Sequence, residues 1–324
     1  MNQLNNGIFS STAPLRIPIA GGGTDLPEYY QKHSGFWISL SIDKLVNVVL
    51  HKNNMDTFYV HYKNNETCSN IKDIKHPIIR KMLQRFSIEE SLSIHSISEL
   101  QGNSGLGSSS TFALCLAKTL SNLSNEYIEC LPDYVYNFER QDLGEFVGKQ
   151  DVWAAYSGGL KLYECDNYGK MTISNIIGSE DVVNFCDHLL LVRAGKQRFA
   201  NEILKSQAHN LNVDKSFEDN YHKTKALANE ILLKLKSMDI AAYGNLVDQH
   251  WQNKMQTFKN NFDPEVFEVY NDLKKEGAIG AKLCGAGNSG YMLAVFNRVD
   301  DINQYIKYSG KQCVKVNPYF RGLQ

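Results

Sequence analysis

Residues 102–110, Gly-Asn-Ser-Gly-Leu-Gly-Ser-Ser-Ser, place three glycines within six residues and then three serines, directly ahead of a run (111–123) with apolar groups at helical spacing. Glycines remove the Cβ atoms that would hold a ligand off the backbone, and the first N–H groups of a helix lack intrahelical partners and carry the positive end of its dipole. Serines are suited to capping such a start. A capped helix start alone accounts for Ser108, Ser109 and Ser110 but not for Gly102, Gly105 and Gly107, so phosphate binding is the preferred reading. With Ser104 and Leu106, these residues are the candidate contacts to nucleotide phosphates. No GxxxxGK[ST] occurs in the chain, which excludes a Walker-type site and leaves the phosphate charge to be met elsewhere.

Two further glycine clusters stand near the ends of the chain. In Arg16-Ile-Pro-Ile-Ala-Gly-Gly-Gly-Thr-Asp25 a β-type run ends in three glycines, bringing Arg16, Thr24 and Asp25 to an opening that Gly22 and Gly23 leave uncrowded. Alone, the stretch reads equally well as a tight turn with a solvated aspartate. Gly285-Ala-Gly-Asn-Ser-Gly290 satisfies GxGxxG, but the residues after it are strand-like and too little chain follows for a dinucleotide-binding half. It is read as a strand–loop–strand lip, with Gly285 and Gly287 on the substrate side.

Strand-like stretches at 7–19, 36–42, 45–51, 57–62 and 92–97 precede helical ones at 108–123, 132–144 and 150–157, and strands return at 160–165, 171–177 and 188–193. Helix is expected near 197–208, 216–238, 240–259 and 264–276. Strands at 278–284 and 290–296, a helix at 300–308 and a strand at 312–317 close the chain. This order, mixed but not strictly alternating, predicts an α+β fold rather than a parallel doubly wound sheet. Length favours two lobes, 1–180 and 181–324, with a cleft.

Thirty-four basic against 35 acidic residues give a net charge of −1, which offers no basis for binding nucleic acid or an anionic membrane. Seven cysteines without CxxC pairs, no leader-like N-terminus and no apolar run of bilayer length point to a cytoplasmic protein. The nine histidines show no HxxxH or HExxH spacing, and His250 and Trp251 read as surface and packing positions.

An Arg-led glycine strand end with Thr-Asp, a GLGSSS loop opening a helix and a C-terminal CGAGNSG loop, in this order, resemble the three motifs of the GHMP kinases, and together they span nearly the whole chain. Within them, APLRIPIAGGGTDLPEYY, VGKQDVWAAYSGGL and VRAGKQRFANEIL are similar to the D-glycero-D-manno-heptose 7-phosphate kinases. Gln101 stands where the family has Pro, and Asn103 where it has a smaller residue.

The resemblance implies a two-lobed fold, an N-terminal lobe like ribosomal S5 domain 2 and a ferredoxin-like C-terminal lobe with extra helices. It implies an ATP- and Mg²⁺-dependent sugar 1-kinase acting on the anomeric hydroxyl of the heptose 7-phosphate, in nucleotide-activated heptose synthesis for a bacterial surface polysaccharide. Kinases for fucose- or galactose-type sugars and a non-catalytic sugar or nucleotide sensor are the alternatives, and a homo-oligomer is compatible with the sequence. By resemblance, Ser109 and Glu139 hold Mg²⁺, Asp151 accepts or orients the hydroxyl proton, and Arg16 is the cation beside it. Without the family match, Glu139 would read as part of a Glu139–Arg140 surface and Arg16 as a sheet-edge arginine. Thr24 and Asp25 suit sugar hydroxyls. Arg193, Lys196 and Arg198, at a strand end entering a helix, suit a second phosphate as well as they suit a solvated basic loop.

Overall fold

The structure, a computed structural model, describes residues 7–100, 102, 104–195, 205–206, 209–211, 214–257, 262–285, 287 and 289–324. Its spine is the antiparallel pair β1 (Ile8–Ala20) and β2 (Gly35–Lys52). β1 is buried without a break from Ala13 to Ala20. An apolar run of that kind marks a strand covered on both faces.

β2 is one strand of 18 residues where the sequence suggested two, at 36–42 and 45–51. Asp43 and Lys44 interrupt its apolar pattern, but they lie where the β1 register shifts between Pro14 and Arg16. The interruption is therefore an irregularity within a continuous strand, placed next to Arg16.

β3 (Phe58–His61), β4 (Asn65–Cys68), β5 (Leu92–Ser98), β6 (Leu160–Cys165) and β7 (Met171–Asn175) complete a sheet ordered β4-β3-β5-β2-β6-β7, with β1 along β2. All its pairs are antiparallel except β3–β5. Beside this sheet lie α1 (Pro27–His33), α2 (Pro77–Arg85), α3 (Ser108–Ser124), α4 (Leu131–Asn137) and α5 (Gln150–Ser157). α3 packs against both β1 and β2 and against α2, α4 and α5, so it is the helix around which this layer is organised. A π-helical turn, Phe138–Asp142, continues α4. Such turns break the regular ladder and recur at functional sites.

After α6 (Ser179–Cys186), a second antiparallel sheet has the order β11-β8-β10-β9, formed by β8 (Leu189–Ala194), β9 (Gly280–Leu283), β10 (Gly290–Val295) and β11 (Cys313–Lys315). α7 (Lys215–Lys236) packs on α8 (Ile240–Thr257) and against β1 and β2 of the first sheet, whereas α8, α9 (Pro264–Lys275) and α10 (Val299–Tyr308) lie on the second sheet. The helix expected at 197–208 falls mostly outside the described residues.

Alternation sorts the second sheet into two faces. Leu190, Val192, Met292, Ala294 and Phe296 join Trp251, Val266 and Ile302 in one core. Leu189, Leu191, Tyr291, Leu293 and Val295 join the large core built on β1, β2 and α3. The two sheets thus share a core, and the fold is α+β with two lobes. The chain end returns to the first sheet, where Thr12 and Gln324 exchange N–H···O bonds at 3.0 and 2.8 Å and Tyr319 N donates to Ser41 O. No helix among the described residues is long and apolar enough to cross a membrane.

Candidate active site

Asp151 sits in the first turn of α5, beside the N-terminus of α3. Arg16 joins the two. Its Nε donates to Asp151 Oδ1 at 2.9 Å, Nη2 donates to the same oxygen, and Nη1 donates to Gly105 O at 2.7 Å. The Arg16 N–H also donates to Leu106 O at 3.1 Å. Arg16 is 3% exposed, and the side chain of Asp151 is 31% exposed. A buried guanidinium needs its charge met, and the Asp151 carboxylate does this while keeping one side open. Arg16 is therefore an internal brace rather than a sheet-edge arginine.

Gly107 is the N-cap of α3, in the left-handed region, with no side-chain cap. The serines expected to cap the helix instead form its first turn, which leaves the first N–H groups to an anion. Of the residues expected on the phosphates, Gly102 and Ser109 are exposed, Ser108 is half-buried, and Ser104, Leu106 and Ser110 are buried. The Ser104 hydroxyl has no hydrogen-bond partner among the described residues.

The glycine loops lock together from opposite lobes. A Cβ on Gly105 would stand 2.5 Å from Cys284 O, one on Gly285 2.7 Å from Gly105 Cα, and both residues have positive φ. Tyr291 N donates to Ser104 O at 3.0 Å. Gly285 and Gly290 thus back the phosphate loop, a Cβ on Gly290 standing 2.6 Å from Ser104 O. Gly285 meets Gly105, whereas Gly287 lies beside Phe262 and Lys254.

Glu139, in the π-helical turn, is fully buried and so is no part of a surface with Arg140, which instead pairs with Glu28 at 2.7 Å. Ser110, not Ser109, reaches it. Ser110 Oγ donates to Glu139 Oε1 at 2.8 Å, and Oε2 is buried with no partner among the described residues. Burial pushes the Glu139 carboxyl well above the usual range, the Ser110 hydrogen bond offsetting part of this and the charges of Glu145 and Asp151 adding to it. A buried carboxyl with an orphaned oxygen at the foot of an anion cradle fits a hard cation.

Thr24 and Asp25, expected on sugar hydroxyls, are turned inward. Thr24 Oγ1 meets Gly21 O and Phe36 O, each at 2.8 Å, and accepts from Phe36 N at 3.0 Å. Asp25 accepts from Gly23 N at 2.9 Å and from Gln150 N at 3.0 Å, fastening the glycine turn to the start of α5 one residue before Asp151. Burial raises the Asp25 carboxyl above its ordinary range, and the Gln150 and Gly23 N–H groups pull it back. Both residues set the posture of the turn.

Gly22 faces Gln150, and Gly23 lies under Tyr221 of α7, where a Cβ would come 2.3 Å from the ring. Arg193 is half-buried on the β8 face directed at the large core, its guanidinium 5.6 Å from the centre of the Tyr291 ring. Lys196 and Arg198 lie outside the described residues.

Three groups were not anticipated. Lys282 Nζ donates to Ile19 O at 2.7 Å, tying β9 to the end of β1, and burial with repulsion from Lys254 and Arg16 brings its ammonium down to about 7. Lys254 Nζ donates to Gly285 O at 2.6 Å, and burial brings it down to about 8. His250 is buried rather than at the surface, neither ring nitrogen has a partner among the described residues, and burial beside these lysines holds it neutral. Trp251 is a packing residue, fully buried. Lys282 alternates with Ala281 and Leu283, which marks it as outward-facing, but only the tertiary fold places the end of β1 over that face.

Residues 73–159 match the family described as GHMP kinases N terminal domain. The chain is 28% identical over 313 residues to a D-glycero-alpha-D-manno-heptose 7-phosphate kinase of Campylobacter jejuni, covering 90% of this chain and 89% of that protein. Its fold is similar to a D-glycero-D-manno-heptose 1-phosphate kinase from Bacteroides thetaiotaomicron, with TM-score 0.77, 19% identity and 98% of each chain covered. It is also similar to Lactococcus lactis galactokinase complexed with galactose, with TM-score 0.72, 15% identity and coverage of 97% and 94%.

Proposed function

We propose that the chain, as a GHMP kinase and so a phosphotransferase acting on an alcohol group, transfers the γ-phosphoryl group of ATP to the anomeric hydroxyl of D-glycero-D-manno-heptose 7-phosphate, giving the 1,7-bisphosphate. The observation that carries this reading is the single contact set of Arg16, which joins the candidate base Asp151 to the backbone of the phosphate loop at Gly105. Phosphoryl transfer asks a protein chiefly for positioning and charge stabilisation, and this brace fixes the acceptor side and the donor side in one frame.

In the proposed reaction the first turn of α3 takes the ATP phosphates through its N–H groups, and Ser104 Oγ gains a partner. Asp151 accepts the proton of the anomeric hydroxyl or orients it, and Arg16 stabilises both the carboxylate and the charge developing on the transferred group. Mg²⁺, held by Glu139 and a first-turn serine of α3, would supply further neutralisation of the phosphates. Asp25 and Thr24 hold the glycine turn against which the sugar lies, with Gly22 and Gly23 on its surface and Tyr221 beside it. Arg193, with Lys196 and Arg198, is assigned to the 7-phosphate, and the product would feed nucleotide-activated heptose synthesis.

The curated relative and the motif wording support this substrate over a neutral hexose. ADP release measured across a panel of sugars and sugar phosphates tests it. Turnover is expected with the heptose 7-phosphate, and turnover with a neutral sugar but none with the 7-phosphate would overturn the substrate while leaving the kinase class.

A further inference from the structure

A second cluster lies away from the nucleotide loop, between the end of α1 and the first turns of α7. His33 closes α1, and Glu218 and His222 stand one turn apart on α7. Residues four apart share a helix face, so α7 presents a carboxylate and an imidazole together. His33 Nε2 lies 2.5 Å from Glu218 Oε1, and the His33 and His222 rings meet edge to face with centres 4.5 Å apart. One ligand atom from each of the three lies within 4.8 Å of the others.

The surroundings hold these groups in place. The Tyr29 hydroxyl meets His222 Nδ1 at 2.9 Å, an outer contact of the kind that orients metal-binding imidazoles. Lys225 Nζ donates to the carbonyls of His33 and Ser34 at 2.7 and 3.1 Å, pinning the end of α1 to α7. Below the cluster, Leu26, Tyr29, Phe217 and Tyr221 pack together.

We propose that His33, Glu218 and His222 form a site for a divalent d-block cation of the Zn²⁺ class, which clamps α7 onto α1. Two imidazoles and one carboxylate suit zinc and its neighbours, whereas Mg²⁺ and Ca²⁺ prefer all-oxygen sets. Ligand bonds of about 2.0–2.2 Å require the three atoms to become evenly spaced, which means opening the His33–Glu218 contact and closing the others. All three side chains are at least partly exposed and can make that adjustment without disturbing a core. A fourth position is left to water.

The clamp also has a consequence for the neighbouring turn. Tyr221 is adjacent to His222 in sequence and sits over Gly23. Fixing α7 one turn from α1 fixes the ring that covers the glycine turn.

The test uses the full chain after chelator treatment, titrated with Co²⁺ and then Zn²⁺ in the presence of excess Mg²⁺. The expected result is one equivalent of Co²⁺ with visible d–d absorption of a low-coordinate site, displaced by Zn²⁺, and a melting temperature that rises with Zn²⁺ concentration. His222→Ala and Glu218→Gln should each lose the cobalt spectrum while keeping the far-UV circular dichroism of the wild type. Tyr29→Phe should weaken binding by about 10-fold or more, through the orienting contact alone. Absence of the spectrum in the wild type, or an unchanged spectrum in both His222→Ala and Glu218→Gln, overturns the proposal. Kinase turnover plays no part in these readouts, so failure here and failure of the substrate assignment are separately visible.

Discussion

Replacing Arg16 by lysine keeps the positive charge but removes the fork. Arg16 uses three nitrogens in two directions, Nε and Nη2 toward Asp151 Oδ1 and Nη1 toward Gly105 O. A single ammonium on a shorter stem cannot serve both. At least one charge-assisted hydrogen bond is lost, a loss of about 1.5–3 kcal/mol for a buried group. If that loss appears fully in the transition state, kcat falls by about 10- to 150-fold, at 1.4 kcal/mol per factor of ten. A coupled ADP-release assay on Arg16→Lys should show this fall with the sugar KM nearly unchanged, because the glycine turn is held by Thr24 and Asp25 and not by Arg16. A kcat within about threefold of wild type would refute the reasoning, since the contacts at Gly105 and Asp151 would then do nothing in the reacting complex.

Gly105→Ala should cut nucleotide affinity sharply, because its Cβ would stand 2.5 Å from Cys284 O at a backbone of positive φ; calorimetric ATP binding equal to wild type would contradict the interlocked loops. Glu139→Gln should raise the melting temperature of the ligand-free protein at neutral pH while abolishing Mg²⁺-dependent turnover. The sign follows from a raised folded pKa: between the ordinary value of 4.5 and that raised value the folded state binds more protons than the unfolded, so the native carboxyl costs stability as pH rises through the window. A lower melting temperature for the variant would reverse the argument. Lys282 has the opposite slope. With a folded value of about 7 against 10.5, the unfolded state binds the extra proton between them, and stability rises with pH across that window by up to about 1.4 kcal/mol per unit. Lys282→Met should flatten the change in melting temperature between pH 7 and 9, and an unaltered slope would contradict the burial of its charge.

The parts of the fold legible in the sequence are those set by local pattern. The phosphate loop and α3 follow from glycines meeting an amphipathic run, and the lip at 285–290 from two strand-like segments around glycines. Three helices escaped it. α1 has seven residues, too short to stand without the packing of Tyr29 and Tyr30. α2 begins at Pro77 and carries Ile78, Ile79, Met82 and Leu83 on one buried face, so both its start signal and its apolar spacing lie in the sequence. α6 is a short helix of eight residues, buried through Val182 and Phe185.

The candidate site was legible as far as motif order reaches. Arg16, Asp151 and the loop glycines come together, but the direction of a side chain is decided by tertiary partners. Asp25 turns to the α5 N–H groups rather than outward, Ser110 rather than Ser109 reaches Glu139, Lys254 and His250 enter the site region from α8, which carries no glycine motif, and Lys282 enters from β9, where the strand pattern does not show what covers it. The cluster joins His33 to Glu218 and His222, which stand 185 and 189 positions further along the chain, a distance that no spacing rule spans.

The most direct measurement is the turnover and ligand binding of Asp151→Asn. The substitution keeps the shape and an oxygen for Arg16 but removes the proton acceptor. The account predicts ADP release reduced by about 10²–10⁴-fold, with ATP and heptose 7-phosphate binding within a few-fold of wild type. Turnover within about tenfold of wild type would contradict the role assigned to Asp151.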